Sequence, residues 1–213
     1  MRVKPTLICD FDGTVADSIA MILELINQLA PRYGYRTISP ELFEQVRDLP
    51  LPKACRAVKF PLHKLGHAIA VVLHEYRKMI PDLEPCPDVV PMLEKLKGQG
   101  ISLGLISSNH TENLLAWLEH NQIGCFDWVE GTSGILRKHR SIRARIRAHN
   151  LDRERVVYLG DEVRDIKAAR RNRLKIVSVS WGLHSKSNLL KHNPDRVVNE
   201  PHELMEIIPE LIS

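Results

Sequence analysis

Three groups of polar residues each follow a short apolar run. Asp10 and Asp12 follow residues 5–9 (PTLIC), Ser107, Ser108 and Asn109 follow 101–106 (ISLGLI), and Asp161 and Asp165 follow 156–159 (VVYL). A lysine, Lys138, stands ahead of a basic stretch at 141–150. If the runs are strands of one parallel sheet, their carboxyl ends share an edge, and ligands of open α/β sheets bind at that edge. Three carboxylates converging there with one lysine make a hard-cation site beside a phosphate site. Mg²⁺ suits it, because that ion takes few carboxylates and completes its shell with water and phosphate oxygens. The two-residue spacing of Asp10 and Asp12 turns both side chains to one side of an extended chain.

The elements that must position these residues are readable as an alternation. Residues 5–9, 101–106, 126–129, 156–159 and 176–179 read as strands, and 92–98, 111–120, 141–150 and 165–171 as helices. Such alternation predicts a parallel sheet with helices on both faces. From 19 to about 76 the chain reads almost wholly as helix, with apolar residues at helical spacing in IAMILELINQLA and HAIAVVLHEY and Ser18 as an N-cap candidate. Prolines at 40, 50, 52 and 61 punctuate this stretch, and PDLEPCPDVVP closes it. The expected architecture is an α/β, Rossmann-like core built from 1–16 and 85–213. A small all-helical cap, 17–84, is inserted after the first strand.

The segment DFDGTVADS resembles the first motif of the haloacid dehalogenase superfamily, in the form its phosphatases carry. ISSN resembles the second motif, the lysine of LRKHR the third and GDEVRDIKAA the fourth; GDEVRDIKAARRNRLKIVSVSWG is similar to phosphoglycolate phosphatase-like members. The resemblance implies a Mg²⁺-dependent phosphatase working through a phosphorylated aspartate. Asp10 would be the nucleophile and Asp12 the general acid and base. Ser107 would bind a phosphoryl oxygen with the backbone amides of Ser108 and Asn109 nearby, and Lys138 would hold developing negative charge. Asp10, Asp161 and the carbonyl of Asp12 would ligate the metal, with Asp165 behind them orienting Lys138 or a metal-bound water. Asp12 separates this chain from the dehalogenases, which lack an aspartate there, and from the transport ATPases, which have threonine.

Three rival functions share these residues. A phosphomutase of the same superfamily differs only in what receives the phosphoryl group. A binding protein on a retired enzyme scaffold is disfavoured by the intact motifs. A phosphatase for nucleic-acid ends is suggested only by the basic stretch, whose plainer reading is a solvated helix face. The substrate expected here is a small phosphorylated metabolite with a compact, anionic remainder, 2-phosphoglycolate first. Arg47 and Lys53, flanking RDLPLPK in the cap, are candidates to meet its carboxylate.

Bulk composition narrows the classes further. Of 213 residues, 44% are hydrophobic and 26% charged, which is enough for a real core and is not the balance of a disordered chain. A net charge of +4 favours anionic ligands without implying nucleic acid as a partner. Cys9, Cys55, Cys86 and Cys125 are scattered, with no CxxC pair, and read as reduced thiols. Residues 19–30 are too short and too polar to span a bilayer. The expectation is a cytoplasmic monomer or homodimer without membrane contact.

Overall fold

The computed structural model describes residues 4–131 and 138–212. Among the described residues, six strands form one sheet: β1 (Thr6–Asp10), β2 (Ser102–Ser107), β3 (Trp128–Gly131), β4 (Val156–Gly160), β5 (Lys175–Val179) and β6 (Arg196–Val198). Their order is β3-β2-β1-β4-β5-β6, and every pairing is parallel. The chain steps outward from β1 through β2 to β3, then returns to the other flank of β1 as β4. That reversal makes the gap beyond the carboxyl ends of β1 and β4 the switch point where such sheets bind ligands.

β1 and β4 are buried at every position, as strands covered on both faces must be. Ile8, Ile106, Tyr158 and Ile176 point to one face, where Ile142 and Ile146 of α7 (Lys138–Ala148), Ile166 and Ala169 of α8 (Val163–Arg171) and Leu189 of α9 (Lys186–Lys191) cover them. Alternate residues such as Leu7, Leu105 and Val157 face the other way. There α5 (Val89–Gly98) and α10 (Leu204–Ile212) touch each other, with α5 against β2 and α10 against β4. The helix α6 (Thr111–His120) lies against β3. Its Trp117 is fully buried, meets the Phe11 ring edge-on at 4.9 Å, and donates Nε1–H to the Leu83 carbonyl at 2.7 Å.

By internal packing the chain divides into two compact units, Met1–Asp17 with Pro81–Ser213, and Ser18–Ile80. The second unit is helical, with α1 (Ile19–Tyr33), α2 (Pro40–Val46), α3 (Leu51–Ala57) and α4 (Leu65–Met79). Its own small core gathers Ala30, Tyr33, Tyr35, Val58 and Ala68, backed by Leu29, Leu42 and Phe60. Asn27 pins the α1–α2 connection by donating to the Ile38 carbonyl at 2.9 Å and accepting from its amide at 2.7 Å. Ser18 occupies the N-cap position of α1, but its side chain makes no capping bond, because its backbone is already helical.

Several boundaries differ from expectation. The basic helix already includes Lys138 and does not wait until 141, so Lys138 lies within α7 and not ahead of it. β3 runs Trp128–Gly131 and not over 126–129. Asp127 ends the preceding loop: its amide donates to the Leu103 carbonyl, and its carboxylate accepts from Leu103 N and Ser102 Oγ, each at 2.8 Å, so pairing starts one residue later. α5 starts at Val89, one turn before the expected 92. β6, α9 and α10 lie beyond the last expected element.

Candidate active site

The loop after β1 turns because Phe11 O accepts from the amides of Thr14, Val15 and Ala16, at 3.3, 3.0 and 3.0 Å. Gly13 takes φ 69° within it, a conformation that suits glycine. Asp10 is the last residue of β1 and pairs with Ile106, so Ser107, which ends β2, lies one step further along the same edge. β4 ends at Gly160, which places Asp161 beside them and lets α8 begin just beyond. Thus local strand ends and one helix start deliver the polar groups to a single sheet edge.

Lys138 Nζ lies 2.5 Å from Asp10 Oδ2 and 2.6 Å from Asp165 Oδ1. All four of Asp10, Lys138, Asp161 and Asp165 are buried. Carboxylate oxygens of Asp10, Asp161 and Asp165 fall within 4.8 Å of one another. Gly160 is required for this packing: a Cβ there would lie 2.7 Å from the Asp165 carboxyl carbon. Asp12 is half-buried and accepts from Asn109 Nδ2 at 3.2 Å, while Ser107 Oγ accepts from Asn109 N at 3.1 Å. Ser108 is half-buried in the bend between them.

Burial pushes the Asp10 carboxyl up to about 7; the Lys138 ammonium opposes that rise and the Asp165 charge adds to it. Burial likewise raises Asp161 well above the usual carboxylate range, helped by Glu162, Asp165 and Asp10. Burial would strip the proton from Lys138, but Asp10 and Asp165 outweigh it and hold the ammonium charged. The Cys9 thiol is raised by burial, then by Cys125 and Asp10, so it stays protonated and inert beside Asp10.

Ionised together, the three carboxylates would outnumber the Lys138 ammonium, and in the metal-free protein burial answers that excess by raising Asp10 and Asp161 toward their protonated forms. The neighbouring Glu162 and Arg164 answer one another at 2.5 Å. Buried charge without a partner costs several kcal/mol per ion. A divalent cation with a preference for oxygen ligands is the complement of that excess, so the residues present fit Mg²⁺.

Of the other residues singled out by sequence, Arg47 belongs to the helical unit, where it pairs with Glu44 at 2.6 Å and lies 5.1 Å from the centre of the Phe43 ring. Lys53 is exposed on α3. Sequence reasoning passed over Thr14, whose hydroxyl donates to Asp161 Oδ1 at 3.0 Å, and Leu183, whose amide donates to Asp161 Oδ2 at 2.7 Å. Thr14 sits inside DFDGT, and a glycine just past a strand end, Gly182, was the available signal for the second.

The family model described as "Haloacid dehalogenase-like hydrolase" matches residues 7–179. A phosphoglycolate phosphatase of Synechococcus elongatus is 28% identical over 207 residues, covering 97% of this chain and 98% of the relative. A phosphoglycolate phosphatase of Xylella fastidiosa is 26% identical, covering 93% of this chain and 90% of its own. Among solved structures, a haloacid dehalogenase-like family hydrolase from Streptococcus pneumoniae superposes with a TM-score of 0.79 at 22% identity, covering 97% and 99% of the two chains.

Proposed function

The chain belongs to the haloacid dehalogenase-like hydrolases, and from that membership we propose a Mg²⁺-dependent phosphatase that clears a small phosphorylated metabolite through a phosphoryl group carried on Asp10. It is a phosphoric monoester hydrolase. The observation that carries the finer reading is the position of Asp10. It ends the central strand at the switch point, with Lys138 on one of its oxygens and Asp161 and Asp165 within the same cluster.

Each side chain then has a task set by its surroundings. Asp10 attacks phosphorus, which a carboxylate does only where the phosphoryl oxygens are neutralised. Lys138 supplies fixed positive charge to those oxygens, and Asp165 holds the ammonium in place. Ser107 and the amides of Ser108 and Asn109 bind the remaining oxygens. Asp12, more open to solvent than Asp10, gives a proton to the leaving oxygen and then takes one from the attacking water, work worth about 10²–10⁴-fold in rate. Asp10, Asp161 and the Asp12 carbonyl would hold Mg²⁺, which when bound supplies the positive charge that the phosphoryl transfer requires.

The helical unit Ser18–Ile80 acts in this reading as a substrate-selecting cap, because it is inserted directly after the loop that follows Asp10. Arg47 and Lys53 would recognise a carboxylate on the substrate. Phosphoglycolate is the first candidate, from the names of the two relatives. No described helix is long and apolar enough to cross a membrane. The four free, buried cysteines fit a reducing cytoplasm, with the enzyme working as monomer or homodimer.

Phosphate release from a panel of phosphorylated metabolites with Mg²⁺ tests the proposal. The expected result is release from 2-phosphoglycolate or a comparably small anionic ester, abolished by chelator. Isomerised sugar phosphate without free phosphate, or preference for phosphorylated polymers, would overturn it.

A further inference from the structure

We infer that Thr14 and the turn 181–183 are positioning residues that fix the orientation of the Asp161 carboxylate, and thereby set a preference for Mg²⁺ over Ca²⁺; the inference rests on the metal reading above. Each of the six oxygens in the clustered carboxylates accepts a bond from the chain itself. Asp10 receives Phe11 N at 2.8 Å and Lys138 Nζ at 2.5 Å. Asp165 receives Lys138 Nζ at 2.6 Å and Glu162 N at 3.1 Å. Asp161 receives Thr14 Oγ1 at 3.0 Å and Leu183 N at 2.7 Å.

With a donor from the chain on each oxygen, such a carboxylate cannot turn freely to grip an ion with both. Ca²⁺ takes 6–8 oxygen ligands flexibly and often uses a carboxylate in that two-oxygen way, whereas Mg²⁺ holds to a tight octahedron. Pinned carboxylates therefore cost Ca²⁺ more than Mg²⁺. Asp10 and Asp165 share one ammonium, so their restraint comes from within the cluster. Asp161 draws on two segments that no catalytic role occupies.

Those segments also hold each other. Trp181 Nε1 donates to the Thr14 carbonyl at 3.2 Å, and His184 N donates to the Asp161 carbonyl at 3.4 Å. Between them Gly182 packs directly on the site. A Cβ at Gly182 would come within 2.2 Å of the Asp161 Cβ and 2.4 Å of the Gly13 carbonyl oxygen, so only glycine lets the turn reach the carboxylate. Thr14 is fully buried, and valine fills the same volume without the hydroxyl.

Calorimetric titration of the full chain, stripped with chelator and dialysed, with Mg²⁺ and separately with Ca²⁺ tests this without reference to turnover. Thr14→Val is expected to weaken Mg²⁺ binding by about 10-fold and to affect Ca²⁺ less, since removing such a supporting bond costs a metal site roughly 10–100-fold. Gly182→Ala is expected to narrow the preference from the opposite side of Asp161, and Thr14→Ser, which keeps the hydroxyl, to restore it. An unchanged Mg²⁺-to-Ca²⁺ ratio in folded Thr14→Val or, should that variant not fold, in Gly182→Ala overturns the inference while leaving the metal reading standing. A wild-type chain that binds neither ion overturns both.

Discussion

Asp10→Asn should make the metal-free protein more stable while abolishing phosphate release. Asp10 has an ordinary value of 3.8 and is pushed up to about 7 by burial. A native acid held above its unfolded value binds a proton more tightly when folded. Its contribution is therefore favourable at low pH and is lost as pH rises from about 4 to about 7, where the folded chain must give up the proton. A displacement of about 3 pH units corresponds to roughly 4 kcal/mol at most, at 1.36 kcal/mol each. The neutral amide avoids that penalty, which is already net of the attraction of the Lys138 ammonium, and Lys138 keeps Asp165 at 2.6 Å. A net gain of about 1–3 kcal/mol remains at pH 8, or roughly 2–10 °C in Tm for a chain of this size. The assay is thermal unfolding of both proteins in chelator from pH 4.5 to pH 8.5. The difference should be near zero at the acid end and open steadily toward pH 8. Saturating Mg²⁺ should reverse the order, since a ligand at 100 times its Kd adds about 2.7 kcal/mol to the protein that binds it. Coincident unfolding temperatures across the whole range, or a less stable mutant at pH 8 in chelator, would refute the electrostatic account of the site.

Lys138→Met removes the one ammonium among three buried carboxylates; it should destabilise the protein by about 3–5 kcal/mol at pH 8 in chemical denaturation, and by less at pH 5, where the carboxylates take up protons. Asp12→Asn should slow phosphate release by about 10²–10⁴-fold. In single turnovers its phosphorylation step should suffer less for aryl phosphates, whose leaving groups need no proton; equal slowing for alkyl and aryl esters would remove the acid role. Gly160→Ala forces a Cβ to 2.7 Å from the Asp165 carboxyl, so phosphate release should fall at least about 10-fold in a folded protein. Unimpaired turnover there would separate Asp165 from the support of Lys138.

The amino-acid sequence by itself determined the repeating plan of this protein. Apolar runs such as TLICD, SLGLIS, VVYLG and KIVSV are buried on both faces, so their nature is written in consecutive residues. Helix α6 is equally legible, its ends falling at Thr111 and His120 as its spacing predicts. Local signals also placed Asp10, Ser107 and Asp161 at strand ends, because a strand end is a local event. The tertiary structure alone decided what each group touches. That Lys138 lies within helix α7 could not be read from RKHRSIR, since long basic side chains mark no helix start, and its reach to Asp10 and Asp165 is a tertiary contact. β6 is three residues of an edge strand, too short for any periodicity to show. The Thr14–Asp161 bond joins residues 147 apart, and the Gly182 contact depends on two loops meeting over one sheet edge. Periodicity is a property of neighbours in the chain, whereas the restraint on a carboxylate is a property of neighbours in space, and only packing brings those together.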